Sequence, residues 1–146
     1  MNWKRGAYPE FTLEDAIATL FLLKIPRGRK QISDELDLGE GSVRTLLKKL
    51  AKLELIESKQ KGHHLSENGS KVLSEITTLF SEPVEVEKVE GMPTCALLVK
   101  SPPQFKSIEL RDEAIRYSAK GAMILICKNG EIVFPEDGRS LRETLP

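Results

Sequence analysis

Arg44, Thr45, Lys48, Lys49 and Lys52 recur at one-, three- and four-residue spacing in and just after the segment GEGSVRTLLKKL, Gly39 to Leu50. At about 100° per residue, that spacing gathers four cations and a hydroxyl on one side of a helix. Val43, Leu46, Leu47, Leu50 and Leu53 take the other side, so the helix can lock into a core while presenting charge outward. Cations held this way suit a polyanion: an arginine can fork onto a phosphate or onto guanine O6 and N7, whereas lysine acts as a point charge. A lysine-rich face is also ordinary solvated surface, so the neighbouring elements decide between the two.

Upstream, ISDEL reads as a short helix pinned by Ile32 and Leu36. Asp37-Leu38-Gly39-Glu40-Gly41 gives a tight connection, with glycine where φ > 0 is needed. Short helix, tight turn and longer basic helix make a helix-turn-helix unit. Leu55 to Lys59 then reads as a strand, Gln60-Lys61-Gly62 as a turn, and His63-His64-Leu65 as the returning strand. On these residues, GRKQISDELDLGEGSVRTLLKKLAKLELIESKQKGHHLSENG resembles the winged helix-turn-helix domain of prokaryotic transcription regulators, over roughly residues 10–80. The resemblance implies DNA binding, with the second helix of the motif in the major groove and the hairpin as a basic wing. Ser42, Arg44, Thr45 and Lys48 are then the groove candidates. Lys49 and Lys52 sit near phosphates, which position a protein without reading sequence. Arg27, Arg29 and Lys30 reach the backbone from the preceding element, and Lys59, Lys61 and His63 reach it from the wing.

Charge supports a local rather than a general attraction. The whole chain of 146 residues carries 22 Lys and Arg against 22 Asp and Glu. Residues 41–65, by contrast, hold six basic side chains (Arg44, Lys48, Lys49, Lys52, Lys59, Lys61) and only Glu54 and Glu57 as acids, roughly +4 net. About 40% apolar and 30% charged residues are ordinary for a globular protein. No apolar run approaches the ~18 residues of a membrane span, and MNWKRGAYPEF has no apolar signal core. Cys95 and Cys127 are far apart and form no CxxC pair, which predicts a cytoplasmic chain with two reduced, partly buried thiols.

Taken in order, residues 1–11 read as an arm, with Trp3, Tyr8 and Phe11 available to pack on the core or a partner subunit. Thr12 to Asp15 is a capping-box start. Leu13, Ile17, Leu20 and Phe21 predict a helix to about Lys24, stopped by Ile25-Pro26. Lys30-Gln31 is the candidate for the short strand that pairs with a wing. After the hairpin, Ser66 caps another helix with Val72, Leu73, Ile76, Leu79 and Phe80 on its apolar side.

Pro83 marks a boundary between domains at 1–82 and 83–146. Val84, Val86 and Val89 suggest a strand, with the intervening charges suiting an exposed edge. Thr94 to Val99 and Ala122 to Cys127 are continuous apolar runs that predict buried strands. Between them, Ser107 caps a helix from Ile108 to Ala119, and Asn129-Gly130 signals a hairpin returning through Ile132-Val133-Phe134. The order is β-β-α-β-β. The segment RDEAIRYSAKGAMILICKNGEIVFPE resembles the C-terminal domain of unknown function that follows a winged helix in a group of archaeal proteins. That resemblance implies an archaeal regulator and carries no active site.

Other chemistry finds less support. His63 and His64 are adjacent on a strand and point to opposite faces, so no metal site is expected. Arg111 and Arg116 could hold a small anionic ligand, against the plainer reading of surface ion pairs with Asp112 and Glu113. No histidine lies outside the hairpin to activate a cysteine, and no Walker or GxGxxG motif occurs, so no enzyme and no cofactor is expected. The expectation is an α+β protein: an N-terminal winged helix-turn-helix domain binding double-stranded DNA, and a small C-terminal domain for dimerisation or small-molecule sensing. About 60 residues bury only a marginal core, and a homodimer would double the phosphate contacts. Two other classes compete. One is a winged helix used for protein docking, and the other is an enzyme in the C-terminal half with a pocket near Arg111 and Arg116.

Overall fold

The computed structural model describes residues 11–143, so Trp3 and Tyr8 of the expected arm lie outside the described residues. The fold is mixed α+β and divides into two units, one up to Lys100 and one from Ser101 onward.

In the first unit, α1 spans Leu13–Leu22. The amide of Asp15 donates to Thr12 Oγ1 at 3.2 Å and the amide of Thr12 to Asp15 Oδ2 at 2.9 Å, closing the capping box read from sequence. Helix α2 spans Arg29–Leu36. Here the structure departs from expectation, because Lys30-Gln31 is helix and not strand. The Gln31 side chain turns back and accepts from the amide of Gly28 at 2.8 Å, which closes the first turn. Asp37 leaves the helix at φ 52°, and α3 follows over Glu40–Lys52. Of its expected apolar stripe, Val43, Leu46, Leu47 and Leu50 are buried, whereas Leu53, at the position that ends the helix, is 62% exposed.

Helix α3 ends in a Schellman turn. The amide of Leu55 donates to Leu50 O at 3.0 Å and that of Glu54 to Ala51 O at 2.9 Å. Strands β1, Ile56–Lys59, and β2, Gly62–Leu65, then pair antiparallel, with Ser58 opposite His63 and Glu57 opposite His64. The third rail of this small sheet is Arg27. Its amide donates to His63 O at 2.9 Å, and the His63 amide donates to Arg27 O at 2.8 Å. Gly62, at φ 120°, permits that approach: a Cβ there would lie 2.6 Å from the Arg27 carbonyl carbon. Helix α4, Glu67–Thr77, starts on Ser66, whose Oγ accepts from the Gly69 amide at 3.0 Å.

These elements share one core. Leu20, Phe21, Leu23, Ile32, Val43, Leu46, Leu47, Leu50, Ile56 and Leu73 are all buried, with Ile32, Leu23 and Val43 at 0% exposure. Phe11 packs against the edge of this cluster.

Strands β3, Val84–Val89, and β4, Met92–Ala96, form a second hairpin that also belongs to the first unit. A boundary at Pro83 would assign it to the second. What ties it back is the segment after β4, because the Lys100 amide donates to Leu79 O and the Ser81 amide to Leu98 O, both at 2.8 Å. The apolar run Thr94 to Val99 is a strand only to Ala96, and Leu97, Leu98 and Val99 are exposed. Cys95 is exposed as well.

The second unit holds α5, Ser107–Arg116, and a hairpin of β5, Ile126–Lys128, with β6, Glu131–Val133. Asn129 and Gly130, at φ 51° and 77°, make the primed turn the dipeptide predicts. Two expectations fail here. The helix starts at Ser107 itself, with Lys106 before it making no side-chain cap bond, and stops at Arg116, and the run from Ala122 is strand only from Ile126. Cys127, expected to be partly buried, is exposed. The order β-β-α-β-β holds. Among the described residues no helix is long and apolar enough to cross a membrane.

Candidate nucleic-acid interface

Burial of Val43, Leu46, Leu47 and Leu50 fixes how α3 is turned. At about 100° per residue, Thr45, Lys48 and Lys52 project directly away from that buried stripe. Arg44 and Ala51 flank it on one side, and Ser42 and Lys49 on the other. Arg44, Thr45, Lys48 and Lys52 are exposed, and no acidic residue lies between Gly41 and Lys52. The Thr45 hydroxyl donates back to Gly41 O at 3.2 Å, which leaves its oxygen lone pairs outward. Lys49 is half-buried, with its ammonium 6.0 Å from the centre of the Phe11 ring. It therefore sits on the flank of α3 away from the hairpin.

The Arg44 flank faces the hairpin across a cleft of about 200 Å³. Arg29 opens it from the first turn of α2, Arg44 and Lys48 line it from α3, and His63 closes it from β2. Leu47, Ala51 and Ile56 supply apolar lining. Three elements far apart in the sequence thus bring four of the expected contact residues together. Lys59 and Lys61 stand exposed at the hairpin tip, and Lys30 is exposed on α2. Arg29, Arg44, Lys48, Lys52, Lys59 and Lys61 make no ion pair among the described residues. Arg27 is different: its Nε donates to Leu22 O at 2.9 Å, so this side chain braces the loop.

The hairpin register separates the two histidines. His64 shares a face with Glu57, and its Nε2 lies 3.3 Å from Glu57 Oε2. His63 shares the opposite face with Ser58, toward the cleft. Burial first, then the Arg29 charge, then His64 hold the His63 imidazole below its usual pKa. The apolar lining from Leu47, Ala51 and Ile56 went unread in the sequence. Its signal was the row Arg44, Leu47, Lys48, Ala51, one helical flank at three- and four-residue spacing.

In the second unit, Arg111 reaches Glu136 at 3.3 Å and Arg116 reaches Glu113 at 2.9 Å. Both guanidinium groups thus face carboxylates.

Comparison with known proteins gives two family matches along the chain. Residues 12–71 match the family described as PH0730-like, N-terminal domain. Residues 90–146 match a domain of unknown function, DUF4443. Among solved structures, the chain is similar to the hypothetical protein PH0730 from Pyrococcus horikoshii OT3. The two are 58% identical and superpose with a TM-score of 0.87, over 94% of this chain and 73% of that one. No curated protein matches the chain.

Proposed function

This chain belongs to the PH0730-like family, and from that premise we propose that its first unit is a winged helix-turn-helix that binds double-stranded DNA to regulate transcription. Helix α3 enters the major groove, and the β1–β2 hairpin lies along the backbone as a wing. One observation carries the reading: the start of α2, the exposed face of α3 and the adjoining hairpin present Arg29, Arg44, Lys48, Lys52, Lys59 and Lys61 without a carboxylate partner among the described residues. Arg44 is the candidate for base readout by its two-pronged fork. Lys52, in the last turn of α3, and Lys59 and Lys61 meet phosphates. The protein acts as a regulator and not as an enzyme in this reading.

The homodimer belongs to the same proposal. Val84, Val86, Leu97, Leu98 and Val99 expose apolar side chains in and just after the second hairpin, which supports a face covered by a second copy. Two copies would place two α3 helices on successive major grooves.

Fluorescence anisotropy with mixed genomic duplexes, run at several salt concentrations, tests the DNA reading. Wild type is expected to bind with a steep negative salt slope, and Lys48→Ala/Lys52→Ala to lose about two units of it. Absence of wild-type binding at low salt would remove the DNA reading and leave the unit as a protein-docking module.

A further inference from the structure

The cleft between α3 and the hairpin is built unlike the rest of the cationic front. Its 200 Å³ are lined mainly by apolar surface, with Leu47, Ala51 and Ile56 beside the side chains of Arg29, Arg44, Lys48 and His63. That is room for a phosphate group with several waters at ~30 Å³ each. Glu57 is the one carboxylate among the lining residues. Its register places it on the other face of the hairpin, 3.3 Å from His64 Nε2. Arg29, Arg44 and Lys48 make no ion pair among the described residues, and the cleft also holds Ser58.

We infer that this cleft seats a backbone phosphate of bound DNA and that His63 takes up a proton as the phosphate docks, so that binding tightens as pH falls. The inference rests on the DNA reading above and adds the partner group and the proton linkage.

The sign follows from the surroundings of His63. In the free protein, Arg29 from α2 and Arg44 and Lys48 from α3 line the same cleft, and His64 adjoins His63 along the strand on the other face. Arg27, paired to it through backbone only, sends its guanidinium to Leu22 O instead. Burial first, then the Arg29 charge, then His64 keep the imidazole neutral to a lower pH than usual. A phosphate entering among them reverses the balance, because a nearby anion favours the charged imidazolium, which then donates an N–H to a phosphate oxygen. A group whose proton affinity rises on binding makes the complex tighter below its bound-state pKa. The gain disappears as pH rises through that value.

Two measurements on the full chain test this. The chain has two histidines, so their Hε1 ring protons give two NMR signals whose titrations can be followed with and without a mixed-sequence duplex. The His63 midpoint is expected to rise on adding duplex while that of His64 stays in place. In anisotropy at constant ionic strength, wild type should bind several-fold tighter at pH 5.5 than at pH 7.5, with a ceiling of about tenfold per pH unit for one proton. His63→Gln should flatten the profile and His64→Gln should keep it. The His63 backbone bonds to Arg27 do not need the imidazole, so the hairpin stays docked in the variant. A His63 midpoint unmoved by duplex, or a His63→Gln profile as steep as wild type, overturns the inference. Wild-type binding with a flat pH profile does so too, while leaving the DNA reading intact. No salt-sensitive binding at any pH removes both.

Discussion

Glu54 occupies the left-handed position just past α3, at φ 60°, where glycine is the usual tenant. The Schellman bonds around it are complete, so the side chain adds strain without supplying a contact that the turn needs. Glu54→Gly is expected to raise stability by about 0.5–1 kcal/mol in urea unfolding, once the added freedom of the unfolded glycine is counted. An unchanged or lower midpoint would show that the Glu54 side chain contributes something the turn geometry does not. Nothing in Leu53-Glu54-Leu55 announces this turn, because the residue type that signals it is missing. His63 and His64 were more legible. Alternation along a strand places them on opposite faces, and the structure puts one at the cleft and the other against Glu57. Which neighbours His63 would meet was beyond the local pattern, since Arg29 and Arg44 come from other elements.

Among the elements, those with a periodic apolar stripe or a side-chain cap were readable. The stripe of α3, the Thr12–Asp15 box, the Ser66 cap and the Asn-Gly turn each carry their physical cause within a few residues. The sheet rail at Arg27 was misplaced by three residues onto Lys30. Two backbone hydrogen bonds to His63 decide it, and they depend on a partner more than thirty residues away. The apolar runs after Pro83 misled in another way. Their composition says that they avoid water, but it does not say what covers them. In the structure Leu98 is 53% exposed and Met123 is 44% exposed. Buried residues, among those described, all lie within the helical part of the chain, between Thr19 and Leu73.

For the whole molecule, balanced charge conceals a division of labour. The 22 basic and 22 acidic side chains cancel, yet Arg29, Arg44, Lys48, Lys52, Lys59 and Lys61 make no ion pair among the described residues, while Arg111, Arg116 and Arg139 each meet a carboxylate. In the proposed dimer, light scattering on the full chain should give twice 16.4 kDa, and Val84→Ser/Val86→Ser should shift the population toward a single chain. A monomeric wild type at tens of micromolar would remove the dimer from the proposal. The Arg27–His63 ladder has a consequence in time. It joins the loop before α2 to a strand that comes after α3, so the hairpin cannot dock until the intervening chain has been looped back, at an entropic cost set by that length. Once docked, the amides of Arg27 and His63 are sealed by each other's carbonyls. Their protons should therefore show one shared protection against exchange with deuterium, set by the free energy of lifting the wing off the helices. Distinct protection for the two would mean that the wing peels away one bond at a time.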